Sequence, residues 1–207
     1  MLTAFNAGCA CRRFIIMQKN EKTVFEKPSA FDDETGDLNV IIDTPKDSRN
    51  KYKFDEKLGL FKLGGILAVG HIFPFDFGYI PQTRGGDGDP LDVLVLMDEA
   101  AFVGCLIPSR LIGVIAAEQT EEGKKETNDR LIAVAANSRT HTDVKSLNDL
   151  NETLVDEIEH FFVSYNQAKG KEFKPLGRFG AQKARKVIED GMKLYKKPKA
   201  KTRSKKK

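Results

Sequence analysis

The sequence predicts an α+β fold: a small, closed, OB-like β-barrel core with two packed α-helices. Three observations carry that expectation. Between Leu38 and Thr140, short apolar runs are separated by turn residues, and no helix intervenes to build a parallel sheet. From Leu150 the period changes, with Leu150, Leu154, Ile158, Phe161 and Tyr165 recurring at helical spacing. At 207 residues and 40% hydrophobic content, the chain is long enough for one sizeable core and too apolar for wholesale disorder.

Taken in order, residues 1–37 show no sustained period and read as an irregular lead-in. Strands are expected at Leu38–Asp43, Lys51–Asp55, Gly59–Leu63, Leu91–Met97, Leu111–Ala117 and Arg130–Ala136, with the polar stretch Glu118–Asp129 as a hairpin loop. The helix carrying the Leu150–Tyr165 stripe stops at Gly170, and a second runs from Ala181 to about Leu194. The domain therefore spans 38–195, followed by a basic tail at 196–207. That tail holds eight basic residues and no acid, so the net charge of +4 leaves −4 for the rest of the chain. It lacks interleaved aromatics for base stacking, so it reads as a solvated, disordered terminus, with a nucleic-acid contact through its charge as the alternative.

Other classes are excluded on composition. No apolar run reaches the roughly 18 residues a membrane helix needs. Cys9, Cys11 and Cys105 are too few for a disulfide framework or a four-ligand zinc site, and His71, His141 and His160 show no metal-ligand spacing. Arg12 and Arg13 follow a weakly apolar stretch, the reverse of a secretory signal, so a soluble, cytoplasmic protein is expected.

The chemistry concentrates in Gly85-Gly86-Asp87-Gly88-Asp89-Pro90-Leu91-Asp92, where a glycine-rich loop enters an apolar strand. Three carboxylates in six positions repel one another, and Asp92 interrupts a wholly apolar run. A hard divalent cation would offset that crowding. An acidic, solvated turn is the plain alternative. An EF-hand fails, because its twelfth position is Asp98, shorter than the bidentate Glu the loop needs.

The run Asp87-Gly88-Asp89-Pro90-Leu91-Asp92-Val93 resembles the signature of the soluble family I inorganic pyrophosphatases. Phe73-Pro74-Phe75-Asp76-Phe77-Gly78-Tyr79-Ile80-Pro81, Arg130–Val134 and His160-Phe161-Phe162 with Tyr165 are similar to the family's flanking segments, in the family's order. The resemblance implies a β-barrel with packed helices, hydrolysis of inorganic diphosphate to two phosphates, Mg2+ as cofactor and a homo-oligomeric assembly. It implies Asp43, Asp87 and Asp92 as metal ligands, and Asp89 as the group that takes a proton from, or orients, the attacking water. Lys51, Arg130 and Tyr165 would contact phosphate oxygens. From the residues alone, Asp43 also reads as a turn former, Lys51 as an exposed strand lysine, Tyr165 as a core tyrosine and Arg130 as the partner of a loop acid.

The chain departs from the family at the rim. Family acids fall on Asn128 and near Gln119, an arginine on Gly64 or Gly65, a lysine on Asn166, a glutamate on Lys53 and a tyrosine on Phe77. Compensation would come from Glu118, Glu121, Glu122, Glu126 or Asp129 toward metal, and from Lys53, Lys62 or Arg84 toward phosphate. Without it, turnover is impaired, or the site binds metal and phosphate without catalysis.

Overall fold

Two short apolar runs, Val93–Leu96 and Leu131–Ala135, lie at the centre of the fold, where strands buried on both faces need side chains that are apolar at every position. The computed structural model describes residues 28–197, so the lead-in through residue 27 and the tail beyond residue 197 lie outside the described residues. The elements run β1 (Leu38–Thr44), β2 (Asn50–Asp55), β3 (Leu60–Ile66), β4 (Asp76–Tyr79), β5 (Asp92–Leu96), β6 (Leu106–Glu121), β7 (Lys124–Thr127), β8 (Arg130–Ala135), α1 (Glu152–Gln167), β9 (Glu172–Gly180) and α2 (Ala181–Lys196).

The hydrogen-bonded path β1-β4-β5-β8-β6 returns to β1 through the Leu38–Ser109 end of β6, closing the expected ring. All of these pairings are antiparallel except β5 with β8. β6 is 16 residues long and serves in turn β1, β8, β9 and β7, far beyond the seven residues expected. The expected loop at Glu118–Asp129 is corrected: it is itself a strand pair, with Glu121 opposite Lys124. Glu122 and Gly123 both have positive φ, 50° and 76°, as a two-residue type I′ turn requires. β2 and β3 form a separate hairpin.

Side chains on successive residues of β5 and β8 point to opposite faces. Leu94, Leu96, Ile132 and Val134 pack toward Ile158, Phe162 and Tyr165 of α1. Val93, Val95, Leu131 and Ala133 pack toward Ala184 and Ile188 of α2. Asn151 caps α1, its side chain accepting from the Thr153 amide at 2.9 Å. The lead-in is not loose at its end. Ala30 is fully buried, and Phe31 bridges to Leu38. At β4, a Cβ on Gly78 would sit 2.2 Å from the Ile41 carbonyl oxygen, so only glycine lets β4 lie this close to β1.

Candidate active site

The site is built where one end of the ring meets the β2–β3 hairpin. Because β5 and β8 are parallel and pair Val93 with Leu131, the residues just before them, Asp92 and Arg130, emerge side by side. Tyr79 lies opposite Asp92 on β4. The register between β1 and β4 passes from Ile42–Gly78 to Thr44–Phe77, which leaves Asp43 as the unpaired residue of a bulge. The loop carrying Asp87 and Asp89 is pinned at its base, where the Ile80 amide donates to Leu91 O and the Leu91 amide to Thr83 Oγ1. Gly88, at φ 87°, takes the left-handed turn that brings the Asp89 amide onto Asp87 Oδ1 at 3.0 Å.

Lys51 is the hub. Its ammonium lies 4.5 Å from the centre of the Phe77 ring, and 5.7 and 5.9 Å from those of Phe73 and Tyr165. Burial works against its charge, but Asp92, then Tyr165 and Asp43, outweigh burial and the nearby Arg130, so its pKa is raised. One side chain thus feels Asp43, Asp92, Arg130 and Tyr165 together. Asp43 is 8% exposed, and desolvation pushes its carboxyl up to about 6. Lys51 and the Thr44 hydroxyl, which donates to Asp43 Oδ1 at 2.7 Å, oppose that rise, and Asp92 adds to it. Desolvation also raises the Asp87 carboxyl, against the Asp89 amide and with the help of the Asp89 and Asp92 carboxylates.

Two of the loop acids have cationic partners of their own. Asp92 Oδ2 accepts from Arg130 Nη1 at 2.8 Å, and Asp89 Oδ2 accepts from Lys53 Nζ at 2.8 Å. Among the described residues, no group of three or more His, Cys, Asp or Glu side chains is gathered so as to hold a metal. Two organic cations and an amide thus already offset part of the charge of the three carboxylates. The donor chemistry still fits magnesium. Asp43, Asp87 and Asp92 offer hard oxygens, Asp43 is a buried acid whose desolvation Lys51 offsets only in part, and Mg2+ retains several waters and needs no complete protein cage.

Arg130 is 5% exposed at its side chain and stacks over Phe162 and Phe173, at 5.0 and 5.4 Å. It also donates to Asn128 Oδ1, and Asn128 Nδ2 donates to Gln119 Oε1 at 2.8 Å. Asn128 thus links Gln119 to Arg130. Of the expected compensating groups, Glu118 is paired with Lys125, Glu121 with Lys171 and Lys62 with Asp55. Asp129 accepts from the Ala117 amide, and Arg84 donates to the Leu194, Tyr195 and Lys197 carbonyls at the end of α2. Lys53 alone of the named lysines and arginine is seen on a loop acid. Sequence reasoning missed Lys169, whose ammonium donates to the Tyr165 hydroxyl and lies 4.2 Å from its ring centre. The four-residue step from Tyr165 to Lys169 was the signal available.

A sequence model described as inorganic pyrophosphatase matches residues 40–196. The chain belongs to the inorganic pyrophosphatase family. A relative named inorganic pyrophosphatase from Synechocystis sp. is 37% identical over 163 residues, which cover 79% of this chain and 94% of the relative. The inorganic pyrophosphatase of Thermus thermophilus superposes with a TM-score of 0.75 at 30% identity, over 84% of this chain and 99% of that one. That of Helicobacter pylori does so at 0.72 and 34%, over 78% and 94%. Among these pyrophosphatases, the Asp92–Arg130 pair gives a test of what holds the site together here. Asp92→Asn leaves a buried guanidinium without its charge partner, and is expected to cost about 2–3 kcal/mol in urea unfolding. That is under the range for fully buried pairs, because Asp92 keeps 29% of its side chain in solvent. The double variant Asp92→Leu/Arg130→Met should regain most of that stability and remain inactive.

Proposed function

We propose that the chain hydrolyses inorganic diphosphate to two phosphates in a Mg2+-dependent reaction at this site. The observation that carries the reading is the single charge cluster around Lys51, which joins Asp43, Asp92, Arg130 and Tyr165 from four separate elements. Asp43, Asp87 and Asp92 would hold Mg2+, which supplies charge neutralisation at the phosphoryl group and a lowered pKa for water. Lys51, Arg130 and the Tyr165 hydroxyl orient the phosphate oxygens. Asp89, 59% exposed at its side chain, would take the proton of the attacking water as the bridging P–O bond breaks. One phosphate leaves with the bridging oxygen, and the other carries the oxygen of water.

Because Asn128 and Gln119 bring no charge, we expect magnesium to be held less tightly than by a site with acids there. A cytoplasmic, homo-oligomeric protein accompanies this reading. Leu63 and Ile66, opposite Tyr52 and Asn50 on the β2–β3 hairpin, share one face and are 53 and 62% exposed, an apolar surface that self-association would cover. The test is phosphate release from diphosphate: it should require millimolar Mg2+, cease on chelation and return on re-addition. No release at any magnesium or manganese concentration would overturn the proposal.

A further inference from the structure

We propose that Lys53 is a substrate-binding residue that exchanges its contact with Asp89 for a terminal phosphate of the diphosphate, an inference that rests on the diphosphate reading above. Lys51 and Lys53 are two residues apart on β2 and project from one face of the strand. Lys51 is fixed in place by three aromatic rings, whereas Lys53 is 61% exposed and reaches across to Asp89 Oδ2 at 2.8 Å. An exposed lysine–carboxylate pair holds weakly, on the order of 0–1 kcal/mol, so a more highly charged anion displaces it readily.

The strand beside them has been cleared. Gly65 pairs with Lys51, and the register shift after it makes Gly64 the extra residue of a bulge. A Cβ on Gly64 would lie 3.5 Å from Lys53 Cβ, and one on Gly65 would meet nothing within 4 Å. A cation rooted at Gly64 and the one rooted at Lys53 would therefore serve the same space. The hairpin keeps one of the two, and leaves the room beside it open to a compact anion. Transfer of the ammonium to phosphate also frees the Asp89 carboxylate when substrate is present, which couples binding to the availability of the proton acceptor.

The experiment compares the full-length protein with Lys53→Met, Lys53→Arg and Lys53→Met/Gly64→Arg. It uses steady-state hydrolysis and calorimetric binding of methylenediphosphonate in saturating Mg2+. The expected result is a KM and a methylenediphosphonate Kd raised about tenfold or more in Lys53→Met, equivalent to at least ~1.4 kcal/mol, with kcat within about threefold. Lys53→Arg and Lys53→Met/Gly64→Arg should each regain at least about a third of the parental affinity. Parental affinity in Lys53→Met overturns the proposal, as does a loss that neither arginine restores or a fall in kcat at unchanged KM. A parent that neither binds the analogue nor hydrolyses diphosphate overturns the underlying function instead.

Discussion

Asp89→Asn is expected to lower kcat for diphosphate hydrolysis by about 10²–10⁴-fold, the range associated with loss of a positioned proton acceptor. Stability should change by less than about 0.5 kcal/mol. The two halves of this expectation have separate origins. Asp89 is exposed, its side chain has one cationic partner, and that partner is exposed as well. Its backbone carries the loop, through its amide on Asp87 Oδ1 and its carbonyl accepting from the Gly85 amide at 2.7 Å, and asparagine keeps both contacts. Only the capacity to accept a proton is removed. KM should not rise, because the substitution releases Lys53 from its carboxylate partner. Urea denaturation beside steady-state kinetics reads both quantities. A variant that folds normally and retains kcat within tenfold would show that another group takes the proton.

The contrast with Asp92 shows how far a motif can be read. Asp87, Asp89 and Asp92 fall together in the sequence, but the fold gives them three environments: an amide, an exposed lysine and a buried arginine. The loop itself was legible because glycines, a proline and an abrupt apolar strand mark it locally. The partners were not, since Lys53 reaches Asp89 only after the hairpin folds over the loop, and Arg130 meets Asp92 only through parallel pairing of two distant strands. Asp43 shows the same limit. It lies in a strand buried along its whole length and is the unpaired residue of a bulge, and no property of Ile42-Asp43-Thr44 announces either.

The elements divide in a similar way. β5, β8 and α1 were legible because burial dictates their composition. β7 is exposed along its whole length, so no apolar period marks it. β9 contains Pro175 and Gly177, which read as breakers, and it tolerates them because β6 is its one strand partner. β4 lies inside an aromatic segment, and the close approach at Gly78 selects its glycine. α2 continues to Lys196, so the expected tail begins inside a helix.

Asp43→Asn should stabilise the metal-free protein above pH ~6 and lose part of that advantage when magnesium is bound. In the metal-free parent, desolvation raises the Asp43 carboxyl to about 6 from 3.8. Between pH ~4 and ~6 the native state then holds a proton that the unfolded chain has already released. The unfolded state binds fewer protons, so stability falls as pH rises through this window, by on the order of 2–3 kcal/mol. Asparagine retains an oxygen for the Thr44 hydroxyl and carries no charge to desolvate. The metal-free variant should match the parent below pH ~4 and exceed it above pH ~6 by that same order, a difference that cancels every other group titrating in both proteins. Magnesium narrows that gap at pH 7. The parent gains RT ln(1 + c/Kd), with c the free magnesium concentration, about 1.4 kcal/mol at tenfold Kd, and the variant, having lost an anionic ligand, gains less. Urea unfolding from pH 3.5 to 7.5, in chelator and in Mg2+ at about tenfold its Kd, resolves the two effects. Parallel stability curves for parent and variant in chelator would show that Asp43 carries no buried charge, and with it would go the reason for a cation to settle there.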